Sequence, residues 1–292
     1  MKRIYFVSSG TPTPTKSRFG TCYVLQLDDE FLMFDCGPAA THKLVKMGLF
    51  PTQINPLFFS HHHFDHNVDY PCFLLCRWDQ SAGKENTLQV WGPSPTEWIT
   101  ERLIGPEGAF NHDWRARVGH PGSQEIFESR GGTLPRPGPK VKVSDIHSGS
   151  VIKHDQWTVT AAKTRHIDPW MQTLAYRVDF DDGGSIVFTS DTGPCRSVTA
   201  LAAGADALLI HCWDHQASMQ KNEAGMITGT TAAAEIAQEA GVKKMILAHQ
   251  GPNLDRPGSK ERAIADMSKI YDGRIIFGEE SMILDLGPTQ KF

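Results

Sequence analysis

Four histidines and one aspartate fall within the six residues 61–66, and Ser60 separates them from an apolar run at residues 57–59. In extended backbone, side chains two apart point to the same side, so His61 and His63 can bind one ion together. Asp65 and His66 follow where the chain turns, and they can reach a second ion nearby. Imidazole and carboxylate groups together suit zinc or a similar divalent metal. A tag remnant would lie at a terminus, so this internal segment predicts a metal site at the end of a strand.

Four further residues of metal-binding type stand at the ends of predicted strands later in the chain. One such residue means little, because a histidine at a strand end can simply satisfy a buried carbonyl. Four of them, together with the first cluster, predict one shared site, since sites are commonly built where strands end. These four residues are His166, Asp191, His211 and His249.

Composition narrows the class of protein. The chain has 292 residues, of which 40% are hydrophobic and 21% charged, as in an ordinary globular protein with a sizeable core. Its formal net charge is -4, from 29 Lys+Arg and 33 Asp+Glu, whereas nucleic-acid binding favours clustered basic charge. We therefore expect a small-molecule substrate, and we do not expect nucleic acid as a partner.

The sequence also carries no sign of a membrane or an export signal. No apolar run approaches the roughly 18 residues that span a bilayer. Residues 1–7 contain too little apolar sequence for a signal peptide. The six cysteines are scattered without a CxxC pair, which indicates reduced thiols in a chain of this kind. These features predict a cytoplasmic protein without membrane association.

Strands and helices follow one another in an order that predicts the fold class. Short strands separated by turns dominate the first third, and strands alternate with helices in the second half. This order predicts mixed β-sheets covered by helices, in a single domain spanning 1–292. Residues from about 93 to 140 predict an irregular insertion with short helices. The insertion is either a lid over the site, with Phe110 and Trp114 facing the substrate, or a solvated surface excursion.

The order of the candidate ligands closely resembles the metallo-β-lactamase superfamily, whose pattern is HxHxDH, then a distant His, an Asp and a last His. The resemblance covers essentially the whole chain and implies an αβ/βα sandwich of two mixed β-sheets flanked by helices. It also implies two divalent metal ions at one edge; zinc is preferred, and such sites accept manganese and iron. By residue matching, the ligands of the first ion are His61, His63 and His166, those of the second are Asp65, His66 and His249, and Asp191 bridges both.

A second similarity is to the N-terminus of ribonuclease Z and its relatives, which include small-molecule phosphodiesterases. It is carried by Gly10-Thr11-Pro12 and by Phe34-Asp35-Cys36-Gly37. The resemblance implies that Asp35 orients an imidazole of the histidine segment from behind, while a turn residue that ends a strand is an equal alternative. It implies a homodimer as well.

Two departures from the tRNA-processing members bear on function. The strand that ends at His211 continues as Cys212-Trp213-Asp214 and lacks the glutamate of their His-Glu-Ala-Thr segment, and His249 is followed by Gln250-Gly251-Pro252 rather than Phe-Ser. A basic Gly/Pro-rich arm for tRNA is not evident. We therefore expect a dinuclear hydrolase that uses a metal-bridging hydroxide on a small-molecule ester, lactone or phosphodiester. The alternatives are a ribonuclease Z-like tRNA 3′-endonuclease and an iron-dependent sulfur dioxygenase.

The remaining expectations concern the catalytic and pocket residues. We expect Asp65 to accept a hydrogen bond from the nucleophile and to orient it. His211 is the candidate for donating a proton to the leaving group or stabilising the oxyanion, because the ordinary pKa of histidine is near neutral. Trp170 and Trp213 lie in predicted loops close in sequence to candidate ligands, so we expect both in the substrate pocket.

Overall fold

Two β-sheets packed face to face form the centre of the protein in the computed structural model, which describes residues 1–84 and 86–287. Within these ranges, each sheet has seven strands. The strands are, in chain order, β1 (Lys2–Ser9), β2 (Thr21–Leu27), β3 (Glu30–Phe34), β4 (Ile54–Phe58), β5 (Leu88–Gly92), β6 (Val141–Asp145), β7 (Val151–Lys153), β8 (Trp157–Lys163), β9 (Leu174–Phe180), β10 (Ser185–Phe188), β11 (Ala207–His211), β12 (Lys244–Ala248), β13 (Arg274–Phe277) and β14 (Ile283–Asp285).

The strand order divides the chain into two halves. The first sheet has the order β14-β1-β2-β3-β4-β5-β6, and the second has the order β13-β12-β11-β10-β9-β8-β7. From β3 to β6 neighbouring strands are parallel, as they are from β10 to β13, while the other pairs are antiparallel. Both sheets are therefore mixed, which confirms the prediction from the order of the elements.

Helices cover the outer faces of both sheets. In chain order they are α1 (Ala40–Lys46), α2 (Phe64–Asn67), α3 (Tyr70–Gln80), α4 (Thr96–Ile104), α5 (Asn111–Gly119), α6 (Pro121–Ser129), α7 (Arg196–Ala202), α8 (Thr230–Ala240) and α9 (Ser259–Met267). Leu44 of α1 and Phe73 of α3 are buried in an apolar cluster outside the first sheet, and Ala237 of α8 is buried in a similar cluster outside the second. Two sheets between two helical layers form the αβ/βα sandwich that the resemblance implied. None of the described helices combines the length and the apolar content that crossing a membrane requires.

Aromatic side chains fill the space between the two sheets. The ring of Phe34 on β3 stacks on that of Phe188 on β10, with the ring centroids 4.0 Å apart, and on that of Phe58 on β4 at 5.3 Å. All three side chains are buried, and such aromatic pairs contribute about 0.5–1.5 kcal/mol each beyond their area burial. The stack holds the carboxyl ends of β4 and β10 close together, and the candidate ligands begin there.

Hydrogen bonds from the second sheet hold the segment that follows β4. The hydroxyl of Tyr176 donates to the carbonyl of Phe59 at 2.6 Å, and the N–H of Leu174 donates to the carbonyl of Ser60 at 2.9 Å. Tyr176 and Leu174 both belong to β9, and both are buried. The histidine segment comes from one stretch of sequence, but its position depends on both sheets.

The segment predicted as an irregular insertion is largely helical and leads into a strand. It contains α4, α5 and α6, and β6 follows and pairs with β5 at the edge of the first sheet. None of the nine residues described for α5 is buried. β6 and the three-residue β7 were not predicted, because both are edge strands with partly exposed side chains and so have a weak apolar pattern.

Candidate metal centre

The carboxylate of Asp35, directly after β3, is buried beneath the histidine segment and holds it in place. Its Oδ1 accepts the backbone N–H of Ser60 at 2.7 Å, and its Oδ2 accepts the Ser60 hydroxyl at 2.7 Å. Oδ2 also lies 2.7 Å from Nδ1 of His66, so the proton belongs on Nδ1, and Nε2 of His66 is left with a free lone pair. A carboxylate behind an imidazole is the arrangement that the resemblance implied for Asp35.

A first group of candidate ligands draws on both sheets, and its ligand atoms all lie within 4.8 Å of one another. Nδ1 of His61 lies 3.0 Å from the Ser60 hydroxyl, which leaves Nε2 of His61 facing the group. His166 donates from Nδ1 to the carbonyl of Met226 at 2.9 Å, so its Nε2 faces the group as well. The members of this group are His61, His63, His166 and Asp191.

A second group consists of Asp65, His66 and His249, and Asp191 also forms an overlapping group with His211 and His249. Oδ2 of Asp65 lies 3.2 Å from Nε2 of His249 and 3.5 Å from Nε2 of His66. Oδ2 of Asp191 lies 3.7 Å from Nε2 of His66 and 3.7 Å from Nε2 of His166. Its Oδ1 lies 3.4 Å from Nε2 of His249. Asp191 is therefore the carboxylate that stands between the two groups.

Burial and neighbouring charges shift the pKa values of these side chains in different directions. Burial lowers the pKa of His61 well below its ordinary value, so this imidazole is neutral and can bind a metal. Burial also opposes a charge on His66, but the nearby carboxylates, Asp65 foremost, outweigh it and raise the pKa of His66 well above its ordinary value. The same negative charge favours a metal cation, which would replace the second proton on Nε2. Burial acts to raise the pKa of Asp191, but the facing imidazoles, His249 foremost, hold it well below its ordinary value.

The donor set fits divalent metal ions. Nε2 of His66 and Nε2 of His166 are buried, and neither has a hydrogen-bond partner in the described part of the chain. An unsatisfied buried polar atom costs about 1–3 kcal/mol, and a metal ion is a partner that a neutral imidazole nitrogen accepts. Imidazole nitrogen and carboxylate oxygen are ligands of zinc, manganese and iron. The residues present therefore suit the ions that the sequence predicted.

Left-handed backbone occurs at three residues of the centre. The φ angles are 61° at Asp35, 62° at Ser190 and 52° at His249. Residues other than glycine rarely adopt this conformation, which costs about 1–3 kcal/mol at each position and is found where the surrounding structure imposes it. Each of the three lies just beyond a strand, where the left-handed turn redirects the chain at the sheet edge. The packing of both sheets therefore stabilises a backbone that these residues would not adopt alone.

A buried tyrosine that the sequence analysis missed contacts the centre. The hydroxyl of Tyr23 lies 3.3 Å from Nε2 of His211, and Nδ1 of His211 lies 2.7 Å from Oδ1 of Asp191. Burial raises the pKa of Tyr23 well above its ordinary value and lowers the pKa of His211 to about 4. Tyr23 therefore keeps its proton and donates to a neutral imidazole, which in turn donates from Nδ1 to Asp191. The sequence held no signal for this role, because a tyrosine within an apolar strand is typical of a core residue.

The two tryptophans predicted for the pocket differ in their surroundings. Trp170 is 89% exposed and lines an open depression of about 980 Å³ that His166 also lines. Trp213 is half-buried, and its carbonyl accepts the N–H of Gly251 at 2.8 Å. A Cβ atom on Gly251 would lie 2.5 Å from the same carbonyl oxygen, so glycine permits this close approach. The segments that follow His211 and His249 are therefore packed against each other.

Phe110 and Trp114 belong to the helical segment between β5 and β6. The ring of Trp114 lies close to Gly138, since a Cβ atom there would be 3.2 Å from it. Among the described residues, neither aromatic side chain is joined to the candidate ligands by a hydrogen bond or a ring contact. The start of the segment does reach the histidines, because the hydroxyl of Thr96 lies 2.8 Å from Nε2 of His62. A lid role for residues 93–140 stays a prediction.

Comparison with known proteins identifies related families. A model of the beta-lactamase superfamily domain matches residues 31–250. Ribonuclease Z from Mycolicibacterium gilvum (strain PYR-GCK) is 27% identical over 288 residues, which cover 96% of this chain and 94% of that protein. The metallo-beta-lactamase fold protein YhfI from Bacillus subtilis has a TM-score of 0.73 at 18% identity and covers 97% of this chain and 98% of its own. The short form of human tRNase Z has a TM-score of 0.67 at 17% identity and covers 98% of this chain and 100% of its own.

An αβ/βα sandwich with imidazole and carboxylate groups gathered at one edge defines a class of metal-dependent hydrolases that act on ester or phosphodiester bonds. The chain belongs to the metallo-β-lactamase superfamily, in its ribonuclease Z-like branch. It is therefore a hydrolase that depends on divalent metal ions. The superfamily, the fold and the reaction class predicted from the sequence are confirmed.

One expectation from the sequence is wrong. The low net charge led us to expect a small-molecule substrate and no nucleic-acid partner, but relatives that are 27% and 26% identical over nearly the whole chain are named ribonuclease Z. Net charge averages over the whole surface, whereas binding to a phosphate backbone depends on cations near the site. Two exposed cations, Arg165 and Lys221, line the depression that His166 lines.

Proposed function

We propose that the protein is a dinuclear, zinc-dependent phosphodiesterase that cleaves RNA in the manner of ribonuclease Z. The observation that carries this proposal is the position of Asp191, whose Oδ2 lies 3.7 Å from Nε2 of His166 in the first group and 3.7 Å from Nε2 of His66 in the second. It is supported by 27% identity to a ribonuclease Z over 96% of the chain. Two adjoining groups also favour a two-metal hydrolase over the iron-dependent sulfur dioxygenase, which needs a single iron.

The metal ligands in this proposal are those matched from the sequence. When bound, the ions supply a water of lowered pKa and positive charge beside the scissile phosphate. The first ion is assigned to His61, His63 and His166, the second to Asp65, His66 and His249, and Asp191 to both. Zinc is proposed because three imidazoles with a carboxylate suit its preference for nitrogen ligands.

The remaining chemistry falls to the side chains of the chain itself. We assign to Asp65 the role of accepting a hydrogen bond from the attacking water, because its buried carboxylate carries a pKa held down by His66 and His249 against the opposing effect of burial. His211 has partners on both ring nitrogens, Tyr23 and Asp191. This arrangement favours His211 as a residue that positions Asp191, and direct proton donation to the leaving group stays a prediction.

The glutamate that this chain lacks after His211 is not replaced by the nearby Asp214. The carboxylate of Asp214 is buried and accepts the backbone N–H of His215 at 2.7 Å and the side-chain amide of Asn253 at 2.6 Å. These hydrogen bonds tie together the segments that follow β11 and β12. Asp214 therefore has a structural role, and proton transfer to the leaving group depends on other residues or on water.

A substrate panel tests the proposal directly. Zinc-loaded protein is given a labelled precursor tRNA with a 3′ trailer, bis-p-nitrophenyl phosphate, p-nitrophenyl acetate and a lactone. We expect cleavage of the precursor and of the phosphodiester, with little hydrolysis of the acetate or the lactone. The variant Asp191→Asn separates this activity from a contaminating ribonuclease, and the exposed Asp272→Asn is its matched control. Hydrolysis of the esters without any cleavage of the phosphodiesters overturns the proposal.

Three finer expectations are kept as part of this proposal. Zinc as the native metal is checked by elemental analysis of protein purified without added metal. The homodimer that the resemblance implied is checked by light scattering of the purified protein. The cytoplasmic location stays a prediction and is checked by fractionating cells that express the chain.

A further inference from the structure

We infer that the depression beside His166 binds an unpaired nucleotide of RNA, with its base stacked on Trp170 and its flanking phosphates paired with Arg165 and Lys221. The inference rests on the proposed function, because it assigns the place where part of that substrate is held. The depression has a volume of about 980 Å³. It is formed by the segment after β8 and by the segment that precedes α8.

Trp170 presents its ring to solvent. At 89% exposure it is the most exposed of the large hydrophobic side chains that the structure describes. Its backbone N–H donates to the carbonyl of Ile167 at 2.9 Å, so a local turn presents the side chain. An exposed aromatic ring is a stacking platform for any base, because every base has a π-face, and each such contact contributes about 1–3 kcal/mol.

The charges around Trp170 suit a polyanion. Arg165 and Lys221 line the depression, and both are exposed. Asp168 is the one acidic residue among the described residues that line it, and its carboxylate pairs with Lys163 at 2.8 Å. The two cations of the lining are therefore not neutralised by its acidic residue. Phosphate groups are the ligands that such a pair of cations binds beside a stacked base.

A second exposed tryptophan shows that exposure alone does not define such a site. Trp98 is 59% exposed and lines a depression of about 530 Å³. Arg102 lies over its ring, with the guanidinium carbon 5.7 Å from the ring centroid. The other charged residues that line this depression are acidic: Glu97, Glu101, Glu107 and Asp145. This charge repels a phosphate backbone, so Trp98 and Arg102 are matched controls for Trp170 and Arg165.

The depression adjoins the candidate metal centre through His166. His166 and Met226 both line it, and Nδ1 of His166 donates to the carbonyl of Met226 at 2.9 Å. The other nitrogen, Nε2, faces the ligand group, 3.7 Å from Oδ2 of Asp191. A nucleotide stacked on Trp170 is thus held next to the side of the centre where the first ion is assigned. The inferred site therefore holds a nucleotide that flanks the scissile phosphate.

The test measures RNA binding apart from catalysis. Zinc-loaded protein is titrated into a fluorescein-labelled RNA hairpin with a four-nucleotide 3′ overhang ending in a hydroxyl, which mimics the 3′ end of the product of the proposed reaction. We expect Trp170→Ala to weaken binding between about 5-fold and about 150-fold, and Trp170→Phe to restore most of the affinity. Arg165→Gln should reduce the slope of log affinity against log salt by about 1. Trp98→Ala and Arg102→Gln should stay within about twofold of the wild type.

Catalysis of a substrate without a base separates this inference from the proposed function. The wild type should turn over methyl p-nitrophenyl phosphate, which tests the proposed function alone, and Trp170→Ala should keep the zinc content of the wild type, because its side chain lies outside the ligand groups. Wild-type affinity for the hairpin in Trp170→Ala overturns the inference, and the proposed function then stands if the wild type cleaves precursor tRNA. Failure of the wild type to cleave any RNA overturns the proposed function. Loss of hairpin binding in Trp98→Ala equal to that in Trp170→Ala also overturns the inference.

Discussion

The hydroxyl of Tyr23 lies 3.3 Å from Nε2 of His211, and this contact joins the core of the β-sandwich to the candidate metal centre. Tyr23 is buried between the sheets, where its ring also meets that of Phe188. His211 in turn contacts Asp191, since its Nδ1 lies 2.7 Å from Oδ1 of Asp191. The orientation of the carboxylate between the two ligand groups therefore depends on a residue that belongs to the core.

Replacing His211 distinguishes a positioning role from proton donation. If His211 holds Asp191, then His211→Ala weakens metal binding and lowers kcat by a similar factor for phosphodiesters with good and with poor leaving groups. A proton donor instead produces a much greater loss with a poor leaving group, because that group needs protonation. The measurement compares p-nitrophenyl and alkyl phosphodiesters, with zinc content determined in each preparation. A strong dependence on the leaving group at full zinc content would contradict positioning.

Tyr23→Phe removes the hydroxyl and keeps the ring. We expect the variant to lose about 1 kcal/mol of stability, because Nε2 of His211 then lacks its partner in a buried position. Turnover should fall with it, since the imidazole becomes free to turn away from Asp191. Urea denaturation and kcat of the zinc-loaded protein check both effects. Tyr5→Phe is the matched control, because its buried hydroxyl bonds Gln26 at 2.9 Å in the same sheet. Equal losses of turnover in the two variants would contradict the role of the Tyr23 hydroxyl in holding His211 against Asp191.

Asp35→Asn should weaken metal binding by about 10–100-fold. The substitution keeps the size of the side chain but removes the carboxylate that accepts from Ser60 and orients His66. Zinc affinity is measured by competition with a chromophoric chelator. Asp28→Asn is the matched control, because Asp28 also has a left-handed backbone but an exposed side chain. Unchanged zinc affinity in Asp35→Asn would remove the role assigned to this carboxylate.

The proposed centre predicts a metal content close to two equivalents per chain. Removing one ligand of the first group, in His63→Ala, should weaken binding of the first ion, leave about one equivalent after dialysis and abolish activity, because that ion loses one of its four assigned ligands. His112→Ala is the control, because His112 is exposed on α5. Elemental analysis after dialysis gives the stoichiometry. A wild-type protein that holds no metal, or a single iron, would contradict the dinuclear assignment.

Gly37 permits the close approach of the segment that carries Asp65. A Cβ atom on Gly37 would lie 2.2 Å from the carbonyl oxygen of Asp65 and 2.7 Å from the N of Thr21. Both are backbone atoms, so Gly37→Ala must displace a strand or the helix that bears the ligand, at about 1–3 kcal/mol of stability. Zinc affinity should fall as well. Gly119→Ala is the control, because nothing lies within 4 Å of its Cβ position. Thermal unfolding with and without zinc measures both effects.

The sequence was most informative where local pattern and chemistry coincide. The alternation of His61 and His63 and the apolar runs before Asp191 and His249 predicted both the ligands and the mixed sheets. Edge strands such as β6 were not predicted, because a half-exposed strand lacks the regular apolar pattern that identifies a buried one. The expectation of a small-molecule substrate without a nucleic-acid partner was wrong. It relied on net charge, which does not show where cations such as Arg165 and Lys221 lie relative to the centre.

What the sequence alone determined is which side chains are able to bind metal, since this depends on residue type and on short spacing within one backbone segment. Only the tertiary structure decided which of them meet: His166, Asp191 and His249 reach residues 61–66 because two sheets pack face to face. The contact of Tyr23 with His211 and the depression at Trp170 likewise could not be read from the sequence. Their roles arise from contacts between distant segments, which depend on the packing of the whole chain.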